Sequence, residues 1–121
     1  AALFCWAALN IKEYPQLKWM HAIPNGGSRH KAEAAKLVAT GLRKGVFDIF
    51  LPYAAQHSQN HCYNGLYIEL KKRGREKEKA GGMSDAQLEF MTYANLAGYK
   101  AVVCYGWEEA VCAVVEYLKG D

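Results

Sequence analysis

Gly65-Leu66-Tyr67-Ile68-Glu69-Leu70-Lys71 reads as a strand opened by a glycine, with an acid and a base set among its apolar residues. Side chains alternate along a strand, so Glu69 and Lys71 project from one face, roughly 6.5–7 Å apart. A carboxylate inside an apolar strand is costly unless a cation or a hydrogen-bond donor compensates it. Working outward, Val46 to Leu51 is a second short strand, stopped by Pro52, and it holds Asp48 between Phe47 and Ile49.

Two such acids on neighbouring strands repel, and a divalent cation between them would remove the conflict. Carboxylate oxygens suit Mg2+ or Mn2+, which retain waters and accept phosphate oxygens as further ligands. Lys71 reaches the same place, where an ammonium can orient an attacking water or stabilise transition-state charge. Spacing alone also fits a plain ion pair between Glu69 and Lys71 with Asp48 ending a strand, because Glu-x-Lys triplets are common.

Ala2 to Lys12 reads as a helix and Lys18 to Ile23 as a short apolar segment, followed by the turn Pro24-Asn25-Gly26-Gly27. Ser28 opens a second helix with Ala34, Leu37, Val38, Gly41 and Leu42 on its apolar face, closed by Gly45 in the left-handed position. Pro52 to Asn64 is polar and reads as a loop, into which the ends of the two flanking strands can extend, and Lys72 to Met83 is a basic, glycine-containing loop. Ser84 and Gln87 match a capping box, which predicts a helix to about Ala97, ended by Gly98. Lys100 to Tyr105 is a third strand, and a last helix carries Trp107, Ala110, Val111, Val114, Val115 and Leu118 on one stripe. The expected order is helix, strand, helix, strand, strand, helix, strand, helix, with Lys18 to Ile23 as the first strand. The expected architecture is a small α/β domain spanning 1–121, with its sheet between helices.

Half of the 121 residues are hydrophobic and 22% are charged, a balance that buries a core and excludes a disordered chain. No apolar run approaches the roughly 20 residues of a membrane span, and Ala1 to Asn10 has no secretory pattern. Four widely spaced cysteines without a CxxC pair argue against a disulfide framework and for a reducing cytosol, with Cys104 and Cys112 as small core residues. His57, His61 and Cys62 lack a second ligand pair nearby, which argues against zinc. Basic residues cluster in Lys71, Lys72, Arg73, Arg75, Lys77 and Lys79 and again between Arg29 and Lys44, under a net charge of +3. Such clusters fit a phosphate-binding face or simply solvated surfaces, and charge does not separate the two.

The motifs taken together resemble the VRR-Nuc (virus-type replication-repair nuclease) family of the PD-(D/E)xK nuclease superfamily. The resemblance runs from Ala2 to Leu118 through Ala2-Leu3-Phe4-Cys5-Trp6-Ala7, Ile23-Pro24-Asn25-Gly26-Gly27, Gly45-Val46-Phe47-Asp48, Gly65 to Lys71, Met83-Ser84-Asp85-Ala86-Gln87 and Gly98 to Gly106. It implies a restriction-endonuclease-like mixed sheet flanked by helices. It implies metal ligation by Asp48, Glu69 and the Leu70 backbone carbonyl, with Lys71 as the catalytic lysine and Gln87 at the edge of the active site. Asn25, Gly26 and Arg29 match the family's turn before the second helix, where a phosphate can sit, or form an ordinary tight turn. Lys72 and Arg73 extend the catalytic strand toward the DNA backbone. Phe47 stands where the family commonly has proline. The family's usual first-helix Glu would precede residue 1, and Glu13 is too far along to match.

Standalone VRR-Nuc domains of phages and bacteria resemble structure-selective nucleases. The expectation is therefore a Mg2+- or Mn2+-dependent DNA endonuclease in the bacterial or phage-infected cytosol, cutting Holliday junctions as a homodimer in DNA repair. The competing readings are a flap or single-strand nuclease on the same site, a catalytically idle DNA-binding module, and a protein-interaction domain that needs no metal.

Overall fold

The computed structural model describes residues 1–24, 39–58 and 61–120. Helix α1 (Ala2–Leu9) is shorter than expected and passes through turns into a 3-10 turn at Pro15–Trp19. Strands β1 (His21–Ala22), β2 (Ile49–Leu51), β3 (Ala55–Gln56), β4 (Cys62–Tyr63) and β5 (Leu66–Lys71) follow. Two 3-10 turns (Arg75–Lys77 and Lys79–Gly82) then lead to α2 (Asp85–Leu96), β6 (Lys100–Tyr105) and α3 (Trp107–Lys119).

The main sheet is ordered β1-β2-β5-β6, antiparallel between its first three strands and parallel between β5 and β6. This is the mixed α/β sandwich expected. Alternation along β5 divides its faces. Leu66 and Ile68, with Ile49, Leu51 and Cys104, join Leu3 and Ala7 of α1 and Ala110, Val114 and Tyr117 of α3 in the larger core. Tyr67, Ala101 and Val103 face α2 and pack with Phe47, Phe90 and Ala94. Glu69 and Lys71 share the parity of Tyr67, so they emerge on the α2 side.

Four expectations need correction. Strand β2 starts at Ile49, not Val46, because the chain bends at Asp48 and Phe47 turns away to pack on Phe90, ring centroids 5.3 Å apart. The polar stretch after Pro52 holds a two-stranded hairpin, β3 with β4, closed on the core by the Tyr117 hydroxyl, which donates to the Tyr53 carbonyl at 2.6 Å. Gly41 rather than Gly45 takes the positive φ that follows Ala39, the last helical residue before it. Gly45 also has a positive φ (+92°), but there the chain presses on the Ala86 backbone of α2, leaving no room for a Cβ. Finally, Cys112 and Trp107 are exposed, whereas Cys104 is buried and all four cysteines are free.

Strand β6 is the sheet's outer edge. The register sends the Ala101, Val103 and Tyr105 N–H groups away from β5, and two of them are taken up locally. Asn95 Oδ1 accepts from Ala101 N–H and Glu109 Oε1 accepts from Tyr105 N–H, each at 3.0 Å. No helix among the described residues is long and apolar enough to cross a membrane.

Candidate active site

Extending the β2–β5 register beyond Ile49 opposite Ile68 sets Asp48 against Glu69, just where β2 begins. The next rung of the ladder lacks a backbone partner, and Asp48 supplies one: its Oδ2 accepts the Leu70 N–H at 3.1 Å. The backbone at Asp48 is held from the other side by Ile23 N–H, which donates to its carbonyl at 2.6 Å. The sequence thus gives up one backbone rung and aims a carboxylate across the strand end.

Glu69 is 4% exposed and Lys71 9%, although both are charged residues on a central strand. Their neighbours explain how this is tolerated. Lys71 Nζ lies 3.5 Å from Glu69 Oε2 and donates to Gln87 Oε1 at 3.0 Å. Gln87 Nε2 donates to Glu69 Oε2 at 3.1 Å, so the amide bridges the acid and the base. The same Gln87 completes the capping box: its N–H donates to Ser84 Oγ at 3.1 Å, and Ser84 N–H donates to its Oε1 at 3.0 Å. The cap and active-site roles expected for Gln87 are therefore compatible in one rotamer.

Glu69 Oε1 is buried and has no hydrogen-bond partner. Burial first, then the nearby Asp48 carboxylate, push the Glu69 carboxyl up to about 7, against the opposing pull of Lys71. A buried carboxyl whose proton affinity is raised beside a second acid, with an oxygen left unsatisfied, is short of positive charge. The donors present are hard oxygens, matching Mg2+ or Mn2+ rather than a thiophilic metal. The Leu70 carbonyl lies on the same strand edge as its N–H and adds a third oxygen. Among the described residues no three His, Cys, Asp or Glu side chains gather elsewhere or here, so water and substrate would supply the other ligands.

Asp48, Glu69, Leu70, Lys71 and Gln87 are thus brought together. Lys72 and Arg73 follow directly and are exposed, and the Arg73 guanidinium is engaged by Glu108 of α3. Asn25, Gly26 and Arg29 lie outside the described residues. Sequence reasoning missed Tyr105, which pairs with Lys71 in the β5–β6 register and donates to the Gly81 carbonyl at 2.7 Å. It also missed Arg75, which grips Glu78 at 3.2 Å and the Gly82 carbonyl at 3.1 Å and folds the basic loop into its two turns. The parallel alignment of β6 with β5 was the signal for Tyr105; no pattern marked Arg75.

A solved structure described as a "VRR_NUC domain protein" is similar to this chain, with a TM-score of 0.74 and 25% sequence identity over 98% of this chain and 84% of that one. No protein-family model and no curated protein matches the chain. The likeness to a VRR-Nuc domain read from the motif order is borne out by the fold.

Proposed function

We propose that this chain, which shares its fold with a VRR-Nuc domain protein, is a metal-dependent nuclease that hydrolyses phosphodiester bonds in DNA. The observation that carries the reading is the buried Glu69 carboxyl. It has a partnerless oxygen, faces Asp48 from the adjacent strand and stands beside the Lys71 ammonium. Asp48, Glu69 and the Leu70 carbonyl would hold Mg2+ or Mn2+, which supplies a water of lowered pKa and offsets negative charge on the phosphate. Lys71 orients the attacking water and stabilises charge growing on the phosphoryl oxygens. Gln87 keeps the ammonium from collapsing fully onto Glu69. Lys72 and Arg73 at the strand end, and Asn25, Gly26 and Arg29 in the turn before the second helix, would contact DNA phosphates.

The finer proposal is a structure-selective endonuclease acting as a homodimer on four-way junctions, in which two sites related by a two-fold axis make paired cuts. No element of the described structure is a base-reading module, which favours recognition of shape and backbone. The test is cleavage of labelled four-way junction, flap, single-stranded and linear duplex DNA with Mg2+, with Mn2+ and with chelator. Cutting should require the metal, and Lys71→Ala should lower it by about 100-fold or more while binding changes little. Metal-independent cutting would reject the metal site, and no cutting of any substrate would reject the nuclease. A preference for flap or single-stranded DNA, or a monomer by sedimentation, would replace only the junction-resolving dimer.

A further inference from the structure

Gln87 Oε1 receives two donors at once, Ser84 N–H and Lys71 Nζ, each at 3.0 Å. An amide nitrogen cannot accept either bond, so this pair of donors fixes which end of the amide is oxygen. The nitrogen is thereby left facing Glu69 Oε2 at 3.1 Å. Lys71 is a movable donor on a flexible stem, whereas the Ser84 N–H is rigid backbone. It is anchored from behind: Tyr105 holds the Gly81 carbonyl and Arg75 the Gly82 carbonyl, in the residues that lead directly into Ser84. The strand that flanks Lys71 therefore sets the place of the Ser84 N–H through Tyr105.

We propose that the Ser84 backbone N–H is a positioning group of the nuclease site: it locks the Gln87 amide so that oxygen meets Lys71 and nitrogen meets Glu69. The proposal rests on the nuclease reading above and adds to it a residue whose side chain never touches the acids. The Ser84 hydroxyl alone suffices to cap the helix without the reciprocal bond of the box, so the hydroxyl and the N–H can be removed separately.

Proline at position 84 removes the N–H without straining the chain. Ser84 has φ −76° and ψ 164°, and Met83 before it is extended at φ −86° and ψ 140°, both as proline requires. Ser84→Ala deletes the hydroxyl and keeps the N–H, so the comparison of Ser84→Pro with Ser84→Ala reads the loss of the Ser84 N–H contact to Gln87, whose place the proline ring takes. Asp85→Pro controls for a proline at the helix start, since the first helical position tolerates it. Junction cleavage by Ser84→Pro should show a kcat at least about tenfold below that of Ser84→Ala, with KM within about twofold. In the metal-free protein, the Gln87 side-chain amide signals in NMR should keep their displaced shifts in Ser84→Ala and Asp85→Pro. In Ser84→Pro they should return to those of a free glutamine.

Equal kcat for the two Ser84 variants, or undisplaced Gln87 signals in the unmodified protein, overturns the proposal. If the unmodified protein cuts nothing, the nuclease reading fails, and the amide signals alone decide the orientation. Should Ser84→Pro not fold, Gln87→Glu decides. It keeps a capping box but puts an oxygen where Nε2 meets Glu69. A fall in kcat at an unchanged melting midpoint supports the positioning role, and an unchanged kcat overturns it.

Discussion

At Glu69 the carboxyl group is held at about 7 by burial and by Asp48, while the same group in an open chain ionises near 4.5. Between those values the unfolded chain has released a proton that the folded chain keeps. Folding stability therefore falls as pH rises through this window and levels off above it. The shift corresponds to roughly 3 kcal/mol. In the metal-free protein Glu69→Gln should be close to the unmodified chain in stability at pH 4.5 and more stable at pH 8, by up to about 3 kcal/mol. Calorimetry across that range checks it, and a difference that does not grow with pH would show that the acid is not strained. If Glu69 is the metal ligand proposed above, the variant should also lose any stabilisation by Mn2+. Acidic strain relieved by a cation is the residue-scale signature of a metal site.

At the scale of elements, the site depends on how β2, β5 and α2 meet. Gly45 sits where the segment before Asp48 touches the start of α2, with a positive φ and Ala86 backbone against its missing Cβ. Gly45→Ala should cost at least about 2 kcal/mol in urea unfolding, by adding left-handed strain to a backbone clash. A cost below about 0.5 kcal/mol would mean that this contact is not a fixed one. Strands β5 and β6 and helices α2 and α3 were readable from the sequence nearly to the residue, because each combines a clear period with end signals such as the Ser84–Gln87 box and Gly98. The same box, with Glu69 and Lys71, made most of the site visible. Strands β3 and β4 were not readable, since two residues contain no period, whereas β1 keeps only two residues of the strand expected within Lys18 to Ile23. The early end of β2 was hidden because Asp48 exchanges a backbone rung for a side-chain hydrogen bond, a choice made only by the fold. In α3 the buried line runs through Ala110, Val114 and Tyr117. Cys112 lies about 200° around the helix from Ala110, and its apolar sequence neighbours concealed this.

For the molecule as a whole, the sheet divides its labour between two faces. One is filled by α1 and α3 and contains no acid or base of the site; the other carries the acids, the lysine and α2. Beyond β5 two exposed ion pairs, Arg73 with Glu108 and Arg75 with Glu78, shape the loop. The outer rim of β6 has a further consequence. Two of its three outward amide protons are already satisfied by Asn95 and Glu109. A second molecule would have to displace both side chains to zip itself on, so these two contacts should disfavour head-to-edge polymerisation into fibres. The double variant Asn95→Ala, Glu109→Ala should gain thioflavin-positive fibres under conditions where the unmodified protein stays clear. Equal clarity in both would mean that something other than these two side chains keeps the copies apart.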